Sequence, residues 1–178
     1  MLYVENRSIW EFVDDGAIGI PTNGYITRNG SGVMGAGLAL EAKEKYPGIA
    51  YDLGTLIRRQ GHIVGWLRDH PHQILSIPVK PSFIKIKCEK DVDNILPRVK
   101  HLYKIGSCVP GYHCIADKKL MKTSIDQLIE FIEREQLTRV FIPALGCGNG
   151  GLSFQKDLLS VLKSKNIPDN IVLVLNGK

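Results

Sequence analysis

Two glycine-rich stretches and one lysine supply the residue types from which a reaction site could be built. The first stretch, NGSGVMGAG from Asn29 to Gly37, has glycines at 30, 32, 35 and 37; the second, GCGNGG, sets Gly146, Gly148, Gly150 and Gly151 around Cys147 and Asn149. Glycines let a chain turn tightly and leave backbone N–H groups pointing outward, where successive donors form a concave cradle for an anion. If a helix begins directly after such a turn, its positive end adds to the cradle, and phosphate can be held without a lysine. Each stretch alone fits equally well a turn whose small residues let a helix pack closely. No GxxxxGK[ST] occurs, so a Walker site is disfavoured, and a Rossmann site is disfavoured as well. Lys80 closes IPVK at the end of an apolar run, and its position alone fits a solvated lysine at a strand end.

These residues need strands before them and helices after them. Runs of β type occur at Leu2 to Val4, Ala17 to Pro21, Gln73 to Val79, Arg139 to Leu145 and Ile171 to Leu175. Between them, Val33 to Tyr46 reads as an amphipathic helix stopped by Pro47, and Ile125, Leu128, Ile129 and Ile132 share one helical stripe. Ser124 with Gln127 would form a capping box if that second helix began there, and Ser153 is a candidate cap for a third helix from Phe154 to Leu162. The alternation predicts an α/β fold with both glycine stretches and Lys80 at the carboxyl ends of strands, the usual ligand edge of an open sheet. Two such loops would clamp one extended anionic ligand. From Ser82 to Cys114 the pattern degrades, and we expect an insertion around residues 82–109 with a helix near Asp91 to Leu102 that rims the site.

At 178 residues the chain suits one domain, residues 1–178. Its hydrophobic fraction of 44% and charged fraction of 23% exclude a disordered chain, and no apolar run is long enough to cross a membrane. The first residues, MLYVENRSIWEF, lack the pattern of a secretory signal, so the expected location is cytoplasmic with no membrane partner. Cys88, Cys108, Cys114 and Cys147 are spaced irregularly, with no CxxC and no HExxH, and we expect reduced thiols, no metal and no cofactor. The net charge of +5 favours polyanionic partners, DNA among them.

In order along the chain, PTNGYITRNGSGVMGAGLALEAKEKYPG, IPVK and FIPALGCGNGGL resemble three signatures of the macrodomain family, in particular DarG-type and related ADP-ribosylglycohydrolase macrodomains and those encoded by phages. The resemblance implies a three-layer α/β/α fold on a central mixed sheet and a site for ADP-ribose or an ADP-ribosylated macromolecule. It also implies that Asn23 lies at the distal ribose and that Gly32, Val33, Met34 and Gly35 hold the diphosphate from one side. Gly146, Cys147, Gly148, Asn149, Gly150 and Gly151 would hold diphosphate and distal ribose from the other. Phe154 stands where the group often has tryptophan, and it equally fits a core position.

By the same resemblance, Lys80 acts at the anomeric carbon of the distal ribose, where a neutral amine attacks or relays a proton. The implied activity is hydrolysis that removes ADP-ribose from an acceptor, a DNA base first and a protein carboxylate next. A non-catalytic ADP-ribose reader and an ADP-ribose 1''-phosphate phosphatase fit the same pocket. The sequence departs from the family in two places. Where the family reads adenine with Gly-Asp or Gly-Asn, this chain has NRSIW, which leaves Ser8 and Ile9 as positional candidates. The second loop carries no aspartate, so a lysine–aspartate pair is not supported. His113 and Asp117 lie in a segment that loosely resembles the family, and spacing alone promotes neither.

Overall fold

The computed structural model describes residues 2–5 and 7–175. Six strands form one sheet: β1 (Leu2–Glu5), β2 (Ala17–Asn23), β3 (Gly65–Arg68), β4 (Ile74–Lys80), β7 (Val140–Ile142) and β8 (Ile171–Leu175), in the order β1-β8-β7-β2-β4-β3. The remaining pair, β5 (Phe83–Lys85) and β6 (Cys108–Pro110), forms a small antiparallel ribbon. Within the large sheet only the β3–β4 pair is antiparallel, which makes it mixed.

The central strands are apolar on both faces because both faces are covered. Ala17, Leu75, Ile77, Val79, Val140, Ile142, Ile171 and Leu173 pack on one side with α3 (Lys118–Glu135) and α4 (Leu159–Lys163). Their alternating neighbours Ile18, Ile20, Ile74, Phe141, Val172 and Val174 pack on the other side with α1 (Gly37–Lys45), α2 (Ile49–Gln60) and the 3₁₀ turn Ile9–Phe12. The period-2 alternation along each strand thus builds the three α/β/α layers.

The first glycine stretch is docked on α2 by a glycine in that helix. A Cβ at Gly54 would lie 1.9 Å from the Gly30 carbonyl oxygen, and the Gly32 N–H donates to the Ala50 carbonyl at 2.7 Å. Glycine inside a helix is unfavourable by roughly 1 kcal/mol against alanine. The loop's close approach explains its presence.

Several expected boundaries move. The first helix starts at Gly37, not near Val33, because Asn23 Nδ2 donates to the Val33 carbonyl at 2.8 Å and holds that segment out of helical geometry. The second starts at Lys118, where Asp117 accepts from the N–H groups of Lys119 and Leu120. Ser124 is therefore inside α3, its hydroxyl donating to the Pro78 carbonyl, and Gln127 accepts from the Val64 N–H, so the expected capping box does not form. Ser153 does cap, but the turn it caps is π-helical, Phe154–Leu158, and leads into α4.

Residues 82–114 contain three 3₁₀ turns, of which Glu89–Asn94 and Pro97–Leu102 stand where one helix was expected and Gly111–His113 closes the segment. Pro97 explains the break, since it cannot donate within a helix. The segment has its own small core of Ile86, Ile95, Val109 and Cys114, and its two ends are joined by the Gly111 N–H to Ser82 carbonyl bond of 2.8 Å.

Candidate functional site

The parallel strands β2, β4, β7 and β8 all end at one edge of the sheet, and a cavity of about 640 Å³ opens there. Pro21, Thr22 and Asn23 from β2, Val79 and Lys80 from β4, Pro143 and Ala144 after β7, and Val174 with Leu175 from β8 form its floor. This is also where chain connectivity changes direction. From β2 the chain runs through α1 and α2 to β3 and β4 on one side, then crosses by α3 to β7 on the other. Crevices at such switch points are the usual ligand sites of open α/β sheets.

The first loop forms one wall through Val33 and Gly35 to Ala39. Helix α1 has no side-chain cap at Ala36, and the amides of Gly35, Ala36, Gly37 and Leu38 have no protein acceptor among the described residues. A ring of unpaired N–H groups at a helix start is a site for an anion. Gly35 leaves open space where a Cβ would project. The letters from Gly30 to Gly35 also spell GxGxxG, but Gly30 and Gly32 lie on a small hairpin closed by the Ile26–Gly32 bridge, and the helix opens only at Gly37. That is not the Rossmann arrangement, in which the motif's glycines turn directly from strand into helix.

The second loop forms the opposite wall with Gly146 to Gly150. Its carbonyls are turned into the protein: Gly146 accepts from Leu152, Gly148 from Gly151, Gly150 from Ala116, and Asn149 from Lys80 Nζ. The amides of Gly148, Asn149 and Gly150 have no protein acceptor among the described residues. Two amide-rich edges therefore face each other across the cavity. They meet at one point, where Gly37 takes a φ of 54° and a Cβ on it would lie 2.9 Å from Asn149 Nδ2.

Lys80 is the buried cation of the floor, 9% exposed, and its Nζ donates to the Asn149 carbonyl at 2.9 Å. A register shift between Thr22 and Asn23 brings Asn23 level with Lys80 across the β2–β4 pair. Burial lowers the lysine from its ordinary value of 10.5 to about 8, and the Arg98 guanidinium adds to that lowering. An amine in this range is roughly one-tenth neutral at pH 7, a fraction several hundred times that of a solvated lysine.

Of the expected site residues, the cavity gathers Ile9, Asn23, Val33, Gly35, Lys80, Gly146, Cys147, Gly148, Asn149 and Gly150. Asn23 serves the wall's structure, with Nδ2 on the Val33 carbonyl and Oδ1 accepting from the Tyr25 N–H. Cys147 is pushed up to about 11 by burial, so it stays a thiol at neutral pH, as a loop-packing role requires.

Five expected residues lie off the cavity. Gly32 spends its N–H on Ala50 and packs against Leu53, and Met34 is buried in the core beneath α1. Ser8 accepts from the Trp10 N–H as the cap of the first 3₁₀ turn and so fixes Ile9. Gly151 is exposed beyond the loop's closing turn, and Phe154 packs toward α3 and α4.

Sequence alone did not place Arg98, Tyr112 and His113 in the site, yet all three line the cavity from the 82–114 segment, which does form a rim. Tyr112 meets Tyr25 edge to face at 5.3 Å, joining that rim to the start of the first loop. Burial, then Arg98 and Lys80, lower the His113 imidazole below its ordinary value. Asp117, by contrast, serves as the cap of α3.

Among the described residues no helix is long and apolar enough to cross a membrane, and no group of His, Cys, Asp or Glu could hold a metal. No protein-family model matches the chain, and no curated protein matches it. Solved structures do. The macrodomain of Mycobacterium tuberculosis DarG aligns over 98% of this chain and 99% of its own, with TM-score 0.61 and 18% identity. The macrodomain of Thermus aquaticus DarG aligns over 99% of each chain, with TM-score 0.64 and 15% identity. Thermosipho africanus DarTG, solved in complex with ADP-ribose, aligns over 90% of this chain but only 38% of its own, with TM-score 0.56 and 17% identity. With identity this low the likeness is one of fold, and the chain has the macrodomain fold.

Proposed function

We propose that the cavity binds ADP-ribose and that the protein is a hydrolase releasing ADP-ribose from a modified acceptor, a DNA base first and a protein carboxylate next. The observation that carries the reading is the buried Lys80 amine between two walls of unpaired amides. The diphosphate fits between Gly35–Leu38 and Gly148–Gly150, where neutral donors match its charge without a competing cation. Adenine fits the apolar end formed by Ile9, Leu38, Val174 and Leu175. The distal ribose then falls beside Asn23 and Lys80.

In this reading Lys80 donates one N–H to the Asn149 carbonyl and keeps a lone pair when neutral. That lone pair takes a proton from water as the water oxygen bonds to the anomeric carbon. The bond from that carbon to the acceptor breaks, and its electron pair leaves with the acceptor. Walls that fix the ribose hold this geometry before reaction.

The test compares wild type with Lys80→Met on an ADP-ribosylated oligonucleotide and an ADP-ribosylated protein, alongside calorimetry with ADP-ribose. Retained binding with turnover reduced about 100-fold or more is the expected result. A wild type that binds ADP-ribose and releases none from any acceptor would be a reader. Absence of ADP-ribose binding would overturn the proposal.

A further inference from the structure

The reaction proposed for Lys80 has a proton acceptor but leaves the negative charge on the departing group without a partner. Glu41 is the only carboxylate lining the cavity among the described residues, and it is engaged at 2.6 Å by Trp10 Nε1. At the Lys80 end the neutral side chains of the rim that can donate a hydrogen bond are Tyr112 and His113, and of the two only His113 is held by a hydrogen bond to another side chain among the described residues.

The His113 ring is held on several sides. Its Nδ1 lies 2.6 Å from the Tyr103 hydroxyl, Tyr103 and Tyr112 flank it edge to face at 5.9 and 4.6 Å, and its carbonyl accepts from the Leu96 N–H. The Tyr103 hydroxyl has no other partner among the described residues, so the arrangement that uses its hydrogen has the phenol donating to Nδ1. In that arrangement the imidazole proton sits on Nε2. Nε2 itself has no protein partner among the described residues, and the side chain lines the cavity.

We infer that His113, as the neutral ring with its proton on Nε2, donates a hydrogen bond to the atom that leaves the anomeric carbon, and that Tyr103 holds it in that tautomer. The inference rests on the hydrolase reading. No proton is transferred from the ring. The acceptor departs with the bond's electron pair, the Nε2–H stabilises the charge that collects on it, the acceptor is protonated from solvent, and Lys80 returns to solvent the proton it took from water. Burial first, and then the charges of Arg98 and Lys80, disfavour the imidazolium and favour the neutral, donating ring. A fixed donor that meets charge only as it develops acts chiefly on the transition state.

The test measures kcat and KM for His113→Ala, His113→Gln and Tyr103→Phe on an acceptor the wild type turns over, with ADP-ribose affinity as the check on folding. We expect His113→Ala to lose about 100-fold in kcat with affinity within threefold of wild type, in the range found for removal of one such donor. His113→Gln, which presents an N–H at similar reach, should recover at least tenfold of that loss, and Tyr103→Phe should lose about tenfold. Along a series of acceptors of decreasing pKa the ratio of wild type to His113→Ala should shrink, because a better leaving group needs less stabilisation; a merely structural role would leave the ratio constant. Lys80-dependent turnover with unimpaired His113→Ala, or a constant ratio along the series, overturns this inference alone. A wild type that binds ADP-ribose but turns over no acceptor overturns the hydrolase reading, and this inference with it.

Discussion

Replacing Lys80 by methionine should make the folded protein more stable at neutral pH while removing the amine on which the proposed hydrolysis depends. Methionine keeps the unbranched apolar stem of the side chain and removes the amine. Burial lowers that amine from 10.5 to about 8, and a tenfold change in proton affinity corresponds to about 1.4 kcal/mol, so holding the charged form in the fold costs about 3 kcal/mol. Against this stands the hydrogen bond from Nζ to the Asn149 carbonyl, worth about 1 kcal/mol net; Asn149 is exposed, so its carbonyl can turn to water once released. The balance favours Lys80→Met by roughly 2 kcal/mol at pH 7. The sign with pH comes from the lowered folded value. Between pH 8 and 10.5 the unfolded lysine carries a proton that the folded one has lost, so wild-type stability rises with pH across that window and the advantage of the variant disappears. Below pH 8 the penalty is present in full. Cys114 and Cys147, both pushed up to about 11 by burial, pull in the opposite direction above pH 9. Cys147 is common to both proteins and drops out of the difference, whereas Cys114 loses the lowering effect of Lys80 in the variant and so adds, at the top of the range, to the same loss of the variant's advantage. Urea denaturation of both proteins at half-unit steps from pH 7 to 10.5 gives that difference directly. A variant less stable than wild type at pH 7, or a difference that does not change with pH, would mean that the amine is solvated and that its proposed role lacks a physical basis.

Two further substitutions separate the loop's scaffold from its surface. Gly54→Ala drives a methyl group into the Gly30 carbonyl and should destabilise the fold by about 2–3 kcal/mol in urea denaturation while weakening ADP-ribose binding through displacement of the first loop. Gly148→Glu projects into open space at a glycine with ordinary φ, so thermal unfolding should change by less than about 0.5 kcal/mol equivalent while calorimetry shows binding lost to bulk and like charge.

How far the sequence discloses this molecule depends on which signals are local. Strand periodicity located five of the six strands of the large sheet because both faces of β2, β4, β7 and β8 are buried and the apolar runs are dense. It missed β3, whose exposed edge position leaves Trp66 and Arg68 half-buried, and it missed α2, although Ile49, Leu53 and Leu56 form a clear stripe there. The glycine loops were legible as loops, but which amides stay unpaired was not. Gly32 and Gly35 are the same residue type three positions apart, and only the approach of α2 takes the N–H of one and leaves the other open. Lys80 ends an apolar run, a position that by itself fits a solvated lysine, and it was singled out by the resemblance of IPVK to a macrodomain signature. Arg98, Tyr112 and His113 were not placed, because a segment folded around four small-core residues and three 3₁₀ turns shows no periodicity from which to predict where its side chains point.

The two walls of the cavity belong to different layers of the molecule. The first loop rests on α2, on one side of the sheet, and the second leads into the π turn and α4 on the other. Neither layer by itself encloses anything. The recognition surface comes into being only when both halves have docked on the sheet, so an occupant stabilises the completed molecule and has nothing to hold in a partly assembled one. Saturation with ADP-ribose at 100 times its dissociation constant would thus raise global stability by about 2.7 kcal/mol, and the slowest-exchanging amides of both layers should be protected together. In a cell, the concentration of such a ligand would set how much of this chain survives as folded protein, apart from anything the protein does to the ligand in return.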